Sequence, residues 1–233
     1  MEYFLVQVRH VTEIADRSEI EKGQLDVTAE LCVIGLAAYF EAFCKNEFAA
    51  VINICPDILD AFMVKRDCNI PGRALLFMLS APRCRLGSLV AEQYDFGSAK
   101  SINGLFRDIL NIAPFSKREA TRYSEFLRDR NLLVHHGGVY TLTYAQQKLA
   151  PEEMERQVHW GSLVVNKADV DKWADFLARL ATKIGNAAAA AMLRSPVSRG
   201  LKRSAERKKA IRALGNIDSP EAARDMQQKL SAR

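Results

Sequence analysis

Residues 116–138 read SKREATRYSEFLRDRNLLVHHGG. Ser116 and Glu119 stand at the spacing of a capping box, in which each side chain satisfies the other's free backbone N–H. Gly137-Gly138 supplies the positive-φ residues on which helices commonly end. The pattern predicts a helix over 116–136. At roughly 100° per residue, Ala120, Tyr123, Phe126, Leu127, Leu133 and Val134 make one apolar stripe. Arg130 is expected in the middle of that stripe, Asn131 at its edge, and His135 four residues on from Asn131 on the same side. An arginine keeps its charge and is costly to bury without partners. Arg130 then either snorkels or pairs with an acid such as Glu41, or forms a site with Asn131 and His135. The residues alone leave both readings open.

The flanking sequence is helical as well. Residues 27–53 are apolar almost all round, with Leu31, Ile34, Ala38, Phe40 and Phe43, as in a helix at the centre of a bundle. Residues 3–22 carry Phe4, Val8, Val11, Ile14 and Ile20 at helical spacing, with Gly23 as a stop. Shorter helical pieces are expected near 57–66, 72–80 and 101–111. After the 116–136 helix come two β-like runs, Val139–Tyr144 and Trp160–Val165, on either side of a charged stretch, Pro151–Arg156. A last body helix is expected over 168–193, with Val170, Trp173, Phe176, Leu180 and Ile184 inward. His159-Trp160 reads as packing. The expected fold is all-α, a helical bundle over residues 1–193 with one small β excursion. Residues 194–233 form a basic arm, mobile or partly helical, in which Ser219-Pro220 starts a short final helix.

The chain has 233 residues, 48% hydrophobic and 26% charged, with 12 Gly and 7 Pro. That balance excludes a disordered or collagen-like chain. The apolar run Leu31–Phe40 stops at Glu41, about half of what a bilayer requires. No basic region and apolar block open the sequence as in a signal peptide. A soluble, cytoplasmic protein without a membrane partner is expected. Five cysteines form no Cys-x-x-Cys pair and read as structural. The four histidines show no zinc spacing, so neither metal nor cofactor is expected. The segment from Arg194 to Arg212 carries net +7 against +5 for the whole chain. It includes Lys202, Arg203, Arg207, Lys208, Lys209 and Arg212. Such a block suits RNA or DNA, or is a solvated basic tail.

Arg130-Asn131-Leu132-Leu133-Val134-His135 resembles the Arg-x(4–6)-His motif of the HEPN superfamily, small helical domains that include many prokaryotic RNases. The context is similar too: a polar residue after the Arg, the His at the end of a capped helix, and a following Gly-Gly. Ala38-Tyr39-Phe40-Glu41-Ala42-Phe43 resembles the HEPN helix that carries an aromatic–Glu pair and packs on the motif helix. The resemblance covers roughly residues 25–190 and is nearest to stand-alone RiboL-PSP-HEPN-like proteins.

The resemblance implies a metal-independent endoribonuclease in prokaryotic toxin or antiviral defence. It implies a homodimer with both motif helices facing one cleft. His135 would exchange protons with the 2′-hydroxyl or the leaving 5′-oxygen, Arg130 would hold the scissile phosphate, and Asn131 would orient one of them. Glu41 would support the site from its own helix. His136 also satisfies the motif from Arg130, and Arg128 satisfies it to His135, so the pairing is not unique. Gly137 stands where members silenced by a nucleotidyltransferase antitoxin often carry Tyr. An antitoxin or regulatory protein partner stays open on other terms. The alternative is a non-catalytic HEPN-fold dimer that binds RNA or acts as a scaffold.

Overall fold

A computed structural model describes residues 1–17, 26–74, 76, 86–149, 161–194 and 205–215. These residues are mostly helical. The helices are α1 Glu2–Asp16, α2 Val27–Ile54, α3 Ile58–Met63, α4 Leu86–Ala91, α5 Ala99–Leu110, α6 Lys117–His136, α7 Leu142–Lys148, α8 Lys167–Arg194 and α9 Ala205–Leu214. The all-α expectation holds at that level. Two compact units form, one from Met1–Glu2, Glu41–Ser116 and Arg179–Arg233, the other from Tyr3–Phe40 and Lys117–Ala178.

The second unit is built on aromatic contacts. Phe4, Val8, Val11 and Ala15 line the buried face of α1 at helical spacing. Phe4 meets Phe40 of α2 edge-on at 5.8 Å, and Phe40 meets Tyr123 of α6 at 5.3 Å. Phe126 then meets Trp173 of α8 at 5.2 Å. Such pairs add about 0.5–1.5 kcal/mol each beyond the area they bury. Lys167, at the start of α8, holds Asp16 of α1 at 2.9 Å.

The first unit surrounds Phe48 of α2, which contacts Phe62, Phe96 and Phe106 edge-on at 5.5, 5.6 and 6.0 Å. Helix α5 begins at Ser98, whose Oγ accepts from the Ser101 N–H, and ends at Asn111 with φ 55°. Helix α4 crosses α2 at Gly87. Its N–H donates to Asn53 Oδ1 at 2.8 Å, and a Cβ there would overlap the Ala49 carbonyl oxygen. Helix α9 sits in this unit through buried Ile211 and Leu214, and Arg207 Nε donates to the Ile54 carbonyl at 2.8 Å.

Two expectations are corrected. Val139–Tyr144 is no strand: Val139 makes an isolated antiparallel bridge to Ser162, and α7 starts at Leu142. The cause is Thr141, whose Oγ1 accepts from the Tyr144 N–H and caps a helix where the residue types imply extension. Of Trp160–Val165, the described residues 161–165 contribute only that bridge. Second, the buried face of α6 is Tyr123, Phe126, Asp129, Leu132 and Leu133. It is rotated by roughly 80° from the expected stripe, so Asp129, not Arg130, is its charged member. The helical pieces at 18–22 and 77–80, Pro151–Arg156, His159-Trp160, Cys84 and Ser219-Pro220 lie outside the described residues.

Candidate functional site

Helix α6 starts directly after Ser116 and stops at His136, where Gly137 and Gly138 take φ 55° and 79°. Those angles suit glycine and turn the chain back on itself. The Gly138 N–H returns to the Leu132 carbonyl at 3.2 Å. The Tyr140 N–H to Gly161 oxygen bond (3.0 Å) and the Leu163 N–H to Gly138 oxygen bond (2.8 Å) fix the turn. Thr141 then starts α7, which runs back beside the end of α6.

One clamp holds the two helices together. Asp129 is only 8% exposed, and its Oδ1 accepts from the Tyr144 hydroxyl at 2.9 Å and pairs with Lys148 Nζ at 3.0 Å. A buried carboxylate needs such donors to remain charged. Burial, and secondarily the Asp129 charge, pushes the Tyr144 phenol well above its usual range. It therefore stays a donor. Tyr140 stacks on Tyr144 with ring centroids 5.2 Å apart.

Between the helices lies an open cleft of about 180 Å³. From α6 it is lined by Arg128, Asn131, Leu132, His135 and His136, and from the α7 side by Thr141, Thr143, Tyr144 and Gln147. Positions 128, 131, 132, 135 and 136 follow the i, i+3, i+4, i+7, i+8 spacing of one helix face. Asn131, His135 and His136 are exposed. Arg128 is half-buried, its Nη1 donates to Gln147 Oε1 at 2.9 Å, and its buried Nε has no hydrogen-bond partner among the described residues. The cleft offers imidazoles for proton transfer and a cation and hydroxyls for an anion.

The remaining candidates fall elsewhere. Arg130 is half-buried and does not line the cleft, and its Nη1 donates to Asn131 Oδ1 at 2.9 Å. Glu41 is half-buried and belongs to the other unit. Lys202 and Arg203 lie outside the described residues. Arg207 lies within 3.8 Å of Asp57 as well as on Ile54, while Lys208, Lys209 and Arg212 are exposed on α9. Sequence reading missed Asp129, Tyr144, Gln147 and Lys148. The signal for them is the i, i+4 spacing of Tyr144 and Lys148, visible only once 142–148 is read as helix. Among the described residues no three His, Cys, Asp or Glu side chains gather as a metal cluster.

Compared with known proteins, the chain matches no family model, no curated protein and no solved structure.

Proposed function

We propose that the chain is a HEPN-type, metal-independent endoribonuclease of the cytoplasm, acting in toxin or antiviral defence. One observation carries the reading: the end of α6 brings Arg128, Asn131, His135 and His136 to one face of an open polar cleft. RNA carries its own nucleophile there. The 2′-hydroxyl loses its proton to a base and attacks phosphorus, the P–O5′ bond breaks, and an acid protonates the departing 5′-oxygen. A 2′,3′-cyclic phosphate and a 5′-hydroxyl remain. His135 suits these proton transfers because a neutral imidazole carries one nitrogen that accepts a proton and one that donates it. DNA, without the 2′-hydroxyl, is bound but not cut. Exposed Val134, Val139 and Leu142 lie within a few residues of the site in the sequence, exposed Val164 follows Leu163, which bonds to Gly138, and the four support a two-fold dimer through this face.

The test is cleavage of RNA in EDTA with identification of the termini. Cyclic phosphate ends, and loss of about 10²–10⁴-fold in His135→Ala, are expected. The second reading, a non-catalytic RNA-binding or scaffold dimer, draws on Arg130, which lies roughly 140° around α6 from His135. Intact RNA after incubation with pure dimer would favour it.

A further inference from the structure

On α6 the two arginines that share the motif spacing with His135 are not equivalent. Arg128 and His135 are seven residues apart, a separation that returns to within roughly 20° of the same face. Arg130 and His135 are five apart and diverge. The cleft confirms the difference, because Arg128 lines it and Arg130 does not.

Arg128 is also prepared for an anion. Gln147 of α7 accepts from its Nη1 at 2.9 Å, which favours one guanidinium orientation before any ligand arrives. Its Nε is buried and has no hydrogen-bond partner among the described residues, so no acceptor described there competes for that nitrogen. The neighbouring acid does not neutralise it: Asp129 is already taken by Tyr144 and Lys148. Around Arg128 stand further donors, the Thr141 and Thr143 hydroxyls, the two imidazoles and Asn131. Arg130 occupies the Asn131 amide oxygen, which leaves Asn131 its Nδ2 donors. A cation, an amide and hydroxyls converging in about 180 Å³ match a phosphate group. That volume is below the roughly 300–1,000 Å³ of pockets that enclose drug-sized ligands.

We propose that this cleft is a phosphate subsite in which Arg128, not Arg130, holds the anion, while Arg130 positions the Asn131 amide. As the phosphate subsite of RNA cleavage this rests on the endoribonuclease reading; as an anion site it stands on the geometry alone.

The experiment separates the two. The imidazole Cε1–H resonances of the intact protein are assigned with single His→Gln variants. They are then followed by NMR during titration with inorganic phosphate, and with an all-deoxy oligonucleotide that cannot be cut. Phosphate should shift His135 and His136. Arg128→Gln should weaken its binding at least tenfold, Arg128→Lys should restore only part of the loss because the planar fork is gone, and Arg130→Gln should weaken it less than threefold. Gln147→Ala keeps the charge and loosens only its anchor, so an intermediate loss is expected even if Arg128→Gln folds poorly. Single-turnover RNA cleavage provides the second measure: Arg130→Gln should lower the rate and leave phosphate affinity in place, and rescue by Arg130→Lys marks positioning of Asn131. Equal losses in Arg128→Gln and Arg130→Gln, the reverse order, or unshifted His135 and His136 resonances would overturn the proposal. Phosphate binding that depends on Arg128 without any RNA cleavage would leave the subsite standing and remove the endoribonuclease. Cleavage with phosphate affinity dependent on Arg130 would do the opposite.

Discussion

The hydroxyl of Tyr144 donates to Oδ1 of Asp129 over 2.9 Å, and neither residue is open to solvent. This bond joins a helix to the one that follows it, across the turn at Gly137-Gly138. Removing the donor leaves a buried charge with one partner fewer. Tyr144→Phe should therefore lower stability by about 1–3 kcal/mol. Lys148→Met should cost less, because the Lys148 side chain is partly exposed and its charge is screened. Urea unfolding at pH 7 gives both values. Equal midpoints for wild type and Tyr144→Phe would show that the clamp contributes nothing.

A second buried acid makes stability depend on pH. Glu47 of α2 is 5% exposed, and burial pushes its carboxyl up to about 7, against the opposing pull of the Met1 ammonium. The folded state thus keeps a proton that the unfolded glutamate, with its ordinary value of 4.5, has released. Folding takes up a proton between those two values. Stability from this group is therefore full below about pH 4.5 and falls as pH rises through 7. The loss is of the order of 3 kcal/mol. Glu47→Gln should flatten this part of the profile and be the more stable protein at pH 8. Parallel pH slopes for the two proteins would rule the carboxyl out as the source.

The apolar residues beside the site bear on assembly. Val139, Leu142 and Val164 are exposed although large and apolar. Light scattering at tens of micromolar should give twice the chain mass, and Val139→Asp or Val164→Asp should shift it towards monomer, since like charges would meet across a two-fold axis. A monomer at those concentrations would refute the dimer.

The cations of α9 should divide into two kinds. Arg207 caps the end of α2 through the Ile54 carbonyl, so Arg207→Ala should lower stability by about 1–3 kcal/mol. Lys208, Lys209 and Arg212 are exposed, and their joint replacement by Gln should leave unfolding unchanged. It should instead flatten the salt dependence of RNA binding, reducing the log–log slope by up to roughly 2. An unchanged slope would reassign these three to a protein partner.

Much of this arrangement was legible in the sequence and some was not, for reasons specific to residues. The limits of α6 follow from Ser116 and Gly137, because caps are local. Its rotation does not, since Ala120, Leu127 and Val134 count as apolar in any stripe while Asp129 counts as solvated. An aspartate turns inward only where a distant donor meets it, and that donor, Tyr144, sits on a helix that reads as strand. Val139, Tyr140, Thr141, Thr143 and Tyr144 all favour extension, whereas the deciding hydrogen bond belongs to the Thr141 hydroxyl alone. Arg207 was legible as a cation and not as a cap, because its partner Ile54 is 153 residues away.

Gly87 has a consequence for how relatives of this chain are to be found. Every other amino acid brings a carbon into the space of the Ala49 carbonyl oxygen, and the amide beside it needs the Asn53 side chain. Drift in the codons of the surrounding helices is cheap, since one apolar residue replaces another at small cost, but this crossing admits no such exchange. A glycine and an asparagine 34 residues apart are therefore expected to persist together in chains that keep this crossing. Distant chains can be screened for that pair first, and for the arginine and histidine of α6 only afterwards.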